Sequence, residues 1–185
     1  MSAPVLTRRA LNRATLARQF LLTRAPISPL AAVAHLVGLQ AQVPLNPYLA
    51  LWSRLEGFEP GALAKLLLDR EVVRVVVMRA TIHLVTADDC LTLRPLTQPV
   101  LNAELARHPE YGPALQRTDM AFVLAHGRTL LGREPQTGAQ LRGAMAARFP
   151  EHPSPAPSPT PAAASSPSCR YRLEGSGGSR PRWPR

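Results

Sequence analysis

Six consecutive residues, Val72, Val73, Arg74, Val75, Val76 and Val77, are β-branched save one, and they follow about seventy residues patterned for helices. Such a run favours an extended, pleated strand over a helix, in which branched side chains lose rotamer freedom. Thr81, Ile82, His83, Leu84 and Val85 form a second strand-like run, leaving Met78, Arg79 and Ala80 as the connecting turn. The chain must therefore close helices onto a small hairpin.

The helices before it are marked by their ends. Thr7 caps a first helix in which Leu6, Ala10, Ala14, Ala17, Phe20 and Leu21 share one face, and this amphipathic helix is expected to form a wall of the core. Ser28 followed by Pro29 starts a second, with Leu30, Val33, Leu36 and Val37 as its stripe and Gly38 placed to end it. His35 sits at the margin of that stripe. Asn46 and Pro47 restart a helix through Tyr48, Leu51, Trp52 and Leu55, and a further helix runs from Pro60 to Asp69. Between Gly38 and Pro47 lies a turn that carries the polar pair Gln40 and Gln42 among apolar neighbours. Helices joined by a short turn and followed by a hairpin predict a winged helix-turn-helix, a layout that commonly docks on DNA. It also serves in protein interactions, so the layout alone fixes no function.

Thr86 and Asp89 resemble a capping box for the next helix, which Pro95 should break or kink. His108 to Pro113 reads as a loop. Phe122, Leu124, Ala125, Leu130 and Leu131 then share a helix, and Thr137 with Gln140 caps another through Leu141, Met145 and Phe149. From Glu151 the sequence becomes Pro, Ala, Ser and Thr, then Gly, Ser, Arg and Pro, with no hydrophobic period. The expected organisation is a winged helix over 1–86, a connecting helix and incomplete second winged helix over 87–150, and a disordered tail over 151–185. The fold class is mainly α with small β-hairpins, the first of a tandem array.

The formal net charge of +10, from 22 basic and 12 acidic residues, suits a polyanionic partner such as double-stranded DNA. All the basic residues but Lys65 are arginine, a bias that a GC-rich genome produces whatever the function. Cys90 and Cys169 have no metal-ligand spacing, so no metal site, cofactor or disulfide framework is expected. No apolar run reaches the ~20 residues of a membrane span, and the expected setting is cytoplasmic and nucleoid-associated, as a monomer.

The segment Ala10–Leu22, Gly38–Gln42, Asn46–Arg54 and Met78–Val85 together resemble the AlkZ/YcaQ family of winged-helix DNA glycosylases, from about Leu6 to Pro150. The resemblance implies removal of N7-alkylated purines, including those in interstrand crosslinks, and a catalytic motif of two glutamines around a small residue, here Gln40, Ala41 and Gln42. Alkylation at N7 already makes the base a good leaving group, so no strong general acid is needed. Glutamine amides then suit orienting water and contacting the sugar. By residue chemistry alone the same pair would serve to hydrogen-bond the backbone of its turn. Arg54, Arg74 and Arg79, on the recognition helix and wing, are candidate phosphate contacts or solvated surface arginines. His83, alternating with Ile82 and Leu84, should point away from the core, toward DNA or toward solvent.

The tail departs from the family. Back-translated and read in a shifted frame, Ser168–Gly177 gives a peptide resembling the family's own continuation, so out-of-frame translation after about Glu151 is expected, with impaired activity. A noncatalytic winged-helix DNA-binding protein is the alternative reading, and a pure protein-interaction module a distant third.

Overall fold

A computed structural model describes residues 5–109 and 111–149. The expectations for the tail, including the changed frame, fall outside these residues.

Helix α1 (Arg8–Arg18) starts at Thr7, whose hydroxyl accepts the Ala10 amide at 3.2 Å. It does not wall the core. None of its residues is buried, and Leu11 is 51% exposed. Within the helix its stripe consists of Ala10, Ala14 and Ala17 and offers little apolar area to remove from water. Contact is made instead by its C-terminal end, where His35 Nε2 donates to the Arg18 carbonyl at 2.8 Å and the His35 ring lies 4.5 Å from that of Phe20. His35 is thus a marginal packing residue, as its position beside the stripe implied.

Helix α2 (Pro29–His35) is capped by Ser28 and buries Ala32 and Val33. Val37 (φ 58) and Gly38 (φ +121) end it in left-handed backbone, and the Gly38 amide returns to the Val33 carbonyl at 3.1 Å. The chain leaves this turn as a strand, β1 (Leu39–Gln40), then forms α3 (Asn46–Trp52), α4 (Pro60–Leu68), β2 (Val72–Val76) and β3 (Ile82–Thr86). The Met78–Ala80 connection carries Arg79 and Ala80 at φ 54.

The hairpin is therefore part of a larger sheet. Three antiparallel strands lie in the order β1-β3-β2, with Leu39 opposite Leu84 and Gln40 opposite His83, while Arg74 faces Leu84 and Val75 faces His83 across the other ladder. Both faces of this sheet are covered. Leu84 and Val72 pack with Val33, Leu51, Leu55 and Leu63 from α2, α3, α4 and the loop after α3. On the opposite face Val75, Val77 and Val85 pack with Cys90 of α5 (Ala87–Arg107).

Thr86 caps α5, accepting the Asp89 amide at 3.0 Å and donating its hydroxyl to Asp89 Oδ2 at 2.7 Å. Asp89 thus receives from the threonine side chain rather than closing a capping box on its backbone. Pro95 does not break this helix, which runs through both Pro95 and Pro99. Each proline removes one donor, and side-chain bonds one turn apart, Arg94 Nη2 to Gln98 Oε1 at 2.7 Å and Gln98 Nε2 to Asn102 Oδ1 at 2.6 Å, span the same stretch. The expected loop after His108 is shorter than anticipated, because α6 (Gly112–Gln116) begins inside it. Helices α7 (Met120–Arg133) and α8 (Gly138–Arg148) follow.

The capping box of α8 is complete: Thr137 Oγ1 accepts the Gln140 amide at 3.2 Å, and Gln140 Oε1 accepts the Thr137 amide at 2.8 Å. Thr137→Ala removes one arm and frees the other, and is expected to destabilise α8 by about 1 kcal/mol. Amide hydrogen exchange across Gly138–Leu141 checks this: exchange in the first turn should rise several-fold, and unchanged protection would refute the cap's contribution.

Candidate active site

Gln40 is the last residue of the edge strand β1, and the strand-like course continues one residue beyond it. The Ala41 amide donates to the Ile82 carbonyl at 2.8 Å, and Ala41 itself is fully buried in the core, whereas Gln40 and Gln42 on either side are exposed. A small residue between the glutamines is what this geometry requires, since its side chain enters a packed interior.

The ladder is then altered. In a hydrogen-bonded antiparallel pair the two residues exchange both N–H···O bonds. Here the Ile82 amide donates at 3.2 Å to Gln42 Oε1, while the Ala41 carbonyl accepts from Arg74 Nη2 at 2.7 Å. The backbone amide can only donate, so the Gln42 oxygen faces the sheet and its NH2 faces away, with one oxygen lone pair left over. Among the described residues the Gln40 side chain makes no hydrogen bond, so both ends of its amide are available. The arrangement offers amide donors and acceptors at one sheet edge, and a glutamine amide cannot itself remove a proton from water at neutral pH.

The candidate arginines separate. Arg54 is half-buried just after α3, donating from Nη1 to the Ala50 carbonyl at 2.9 Å and to Ser53 Oγ at 3.2 Å, and from Nη2 to Gln19 Oε1 at 3.4 Å. Burial pushes its pKa down from the usual guanidinium value, and its fork ties the end of α3 to the end of α1. Arg74 reaches the Ala41 carbonyl from the middle of β2. Arg79 stands exposed on the left-handed turn, with no hydrogen bond or ion pair to its side chain among the described residues.

His83 differs from expectation. It does alternate with Ile82 and Leu84, but β3 is the central strand and α5 covers the face to which it turns, so the imidazole is only 6% exposed and Nδ1 donates to the Thr81 carbonyl at 3.0 Å. Burial on a central strand, invisible when only a hairpin was expected, accounts for the difference.

Five further side chains from this turn and α3 gave no functional signal in the sequence. Tyr48 on α3 is half-buried, and burial pushes its hydroxyl upward while the nearby Arg74 charge acts in the opposite sense. Val43 and Leu45 on the turn and Leu49 on α3 are each about half exposed, and Trp52, 41% exposed, lies under the Arg24 guanidinium at 4.8 Å. Among the described residues no three His, Cys, Asp or Glu side chains gather as metal ligands, and no helix is long and apolar enough to cross a membrane.

The fold is that of a known protein. The DNA glycosylase AlkZ of Streptomyces sahachiroi matches 74% of this chain with a TM-score of 0.61 at 23% identity, and this chain spans 37% of that protein's length. At that identity the likeness is one of fold. No curated protein sequence matches the chain. The model of the AlkZ-like DNA glycosylase family matches residues 33–168, from within α2 past the described helices and well over half the chain, and the protein therefore belongs to the AlkZ-like DNA glycosylase family.

Proposed function

We propose that the protein is a DNA glycosylase that hydrolyses the N-glycosidic bond of N7-alkylated purines in double-stranded DNA, including those in interstrand crosslinks, with Gln40 and Gln42 as its catalytic residues and without a cofactor. The observation that carries this reading is the Gln40–Ala41–Gln42 segment: its centre is fastened into the core and both glutamines stand exposed at the sheet edge. The order helix, strand, helix, helix, strand, strand from α2 to β3 is read as a winged helix, the first unit of a tandem array whose second unit opens with α7 and α8.

The purine, cationic while attached, leaves as a neutral base with the bonding electron pair, water adds to C1′ of the sugar and its proton passes to solvent, so the residues act on the sugar and on water. Gln40 uses its free carbonyl to accept from the attacking water, and its NH2 to donate to an oxygen of the sugar or phosphate. Gln42 lends its outward NH2 and its remaining lone pair. Arg79 and the overall positive charge hold phosphate oxygens, which places the protein at the nucleoid as a DNA-bound monomer.

A second reading has its own observation. The bond from the Ile82 amide to Gln42 Oε1 is what a purely architectural glutamine makes, and it favours a noncatalytic DNA-binding protein. Incubating the full chain with a duplex that contains one N7-methylguanine separates the two: free N7-methylguanine and an alkali-labile abasic site support the glycosylase, while duplex binding without either supports the alternative. Arg79→Ala is expected to weaken duplex binding at all sequences and to reduce the slope of log K against log salt by about 0.9, the release of one phosphate contact. An unchanged slope would remove Arg79 from the interface.

A further inference from the structure

We propose that Arg74 is a positioning residue for the glutamine pair: by holding the Ala41 carbonyl out of the strand ladder, it leaves the Ile82 amide to Gln42 and fixes where both glutamine amides stand. The proposal rests on the catalytic reading of Gln40 and Gln42 and adds to it a residue that touches neither DNA nor water in the reaction.

Arg74 is the one charged residue in a strand of valines, on the sheet face that packs the main core. A valine would fill a pleated position there at least as well, and a guanidinium placed on that face loses hydration unless its donors are used. It is used across the sheet. Arg74 lies opposite Leu84 on the central strand, and Leu84 lies opposite Leu39 on the edge strand, so the side chain crosses the central strand to reach Ala41. The bond from Nη2 to the Ala41 carbonyl is 2.7 Å, in the short range of charge-assisted bonds.

Its consequence follows from which peptide planes are held. The Ala41 amide belongs to the peptide that joins Gln40 to Ala41, and it is fixed by the Ile82 carbonyl at 2.8 Å. The Ala41 carbonyl belongs to the peptide that joins Ala41 to Gln42, and it is fixed by Arg74. Both planes from which the glutamines depart are therefore pinned, one by the sheet and one by this arginine. Without Arg74 the Ala41 carbonyl turns back to the Ile82 amide to complete the ordinary pair, and the Gln42 oxygen loses its partner.

The test compares Arg74→Met and Arg74→Lys with the wild-type chain in single-turnover release of N7-methylguanine, duplex affinity with its salt slope, and hydrogen exchange at the Ile82 amide. For Arg74→Met we expect release to slow about 100-fold, the effect of a misplaced reacting group. Affinity and salt slope should not change. Exchange at the Ile82 amide should alter in rate as its acceptor changes. Arg74→Lys keeps one donor but not the fork, and should sit about tenfold below wild type. Should the methionine variant not fold, the lysine variant carries the test.

A methionine or lysine variant with the wild-type release rate overturns the proposal. So does a loss of affinity with the salt slope reduced by about 0.9, which would make Arg74 a phosphate contact instead. If the wild-type chain itself releases no base, the glycosylase reading falls and takes the positioning role with it, an outcome distinct from a working enzyme that is indifferent to Arg74.

Discussion

Gln40→Ala is expected to slow single-turnover base release by about 100- to 1,000-fold, the usual loss when one preorganised polar group is removed from a reacting centre. Thermal stability should be unchanged, because the Gln40 side chain is exposed and, among the described residues, makes no hydrogen bond whose loss would weaken the fold. Gln42→Ala should slow release comparably but also carry a small structural cost. It deprives the Ile82 amide of its acceptor, a bond worth about 1 kcal/mol in such a setting. The two glutamines share one water and one sugar in the proposed chemistry, so the double variant should be little worse than the more damaging single one. Release from the N7-methylguanine duplex and melting temperature, measured on the same preparations, decide the matter. If both variants release base at the wild-type rate, the pair is architectural and the reaction has been assigned to the wrong residues.

What the sequence disclosed follows the range of the interactions involved. Caps at Thr7, Ser28, Thr86 and Thr137 were legible because a hydroxyl and an amide three residues apart settle them locally. The edge strand was not, since two residues are too few to show alternation, and its pairing to Leu84 and His83 closes a loop of over forty residues. One missed strand produced a second error: with β1 in place β3 becomes central, and with α5 covering the far face His83 is buried. The failure of α1 to bury its stripe is of a different kind. Its period was real, but alanine at three of its six stripe positions leaves the helix little reason to pack. At the site, Gln40 and Gln42 drew notice only through resemblance to a family, because two glutamines in a turn carry no chemical signature. The partnership of Arg74 with Ala41 spans 33 residues and depends on strand order, so no local pattern could announce it.

Gly38→Ala is expected to have a large structural effect at the start of the strand that carries the glutamines. The glycine adopts φ +121, a region that residues with a Cβ avoid, and an added Cβ would lie 2.8 Å from Val85 Cγ1 and 3.0 Å from the Leu84 carbonyl oxygen. Neither neighbour can easily yield: Val85 is fully buried and Leu84 sits in the central strand. Backbone strain of about 1–3 kcal/mol and overpacking of similar size place the loss at about 3 kcal/mol or more, a large share of a small domain's stability. Gly57→Ala supplies the comparison. It also has positive φ, at +58, but a Cβ there meets nothing within 4 Å, so only the left-handed penalty of about 1–2 kcal/mol applies. Urea unfolding of the two variants beside wild type measures the difference, and equal midpoints for the two would show that the close approach at Gly38 is not limiting. The site should register the same change, because Gly38 aims Leu39 and Gln40 at the central strand. Relieving the contact with Val85 and Leu84 requires β1 to shift outward, which loosens the Ala41–Ile82 bond and carries both glutamines with it. Gly38→Ala protein that remains folded should therefore lose base release, whereas Gly57→Ala should retain it.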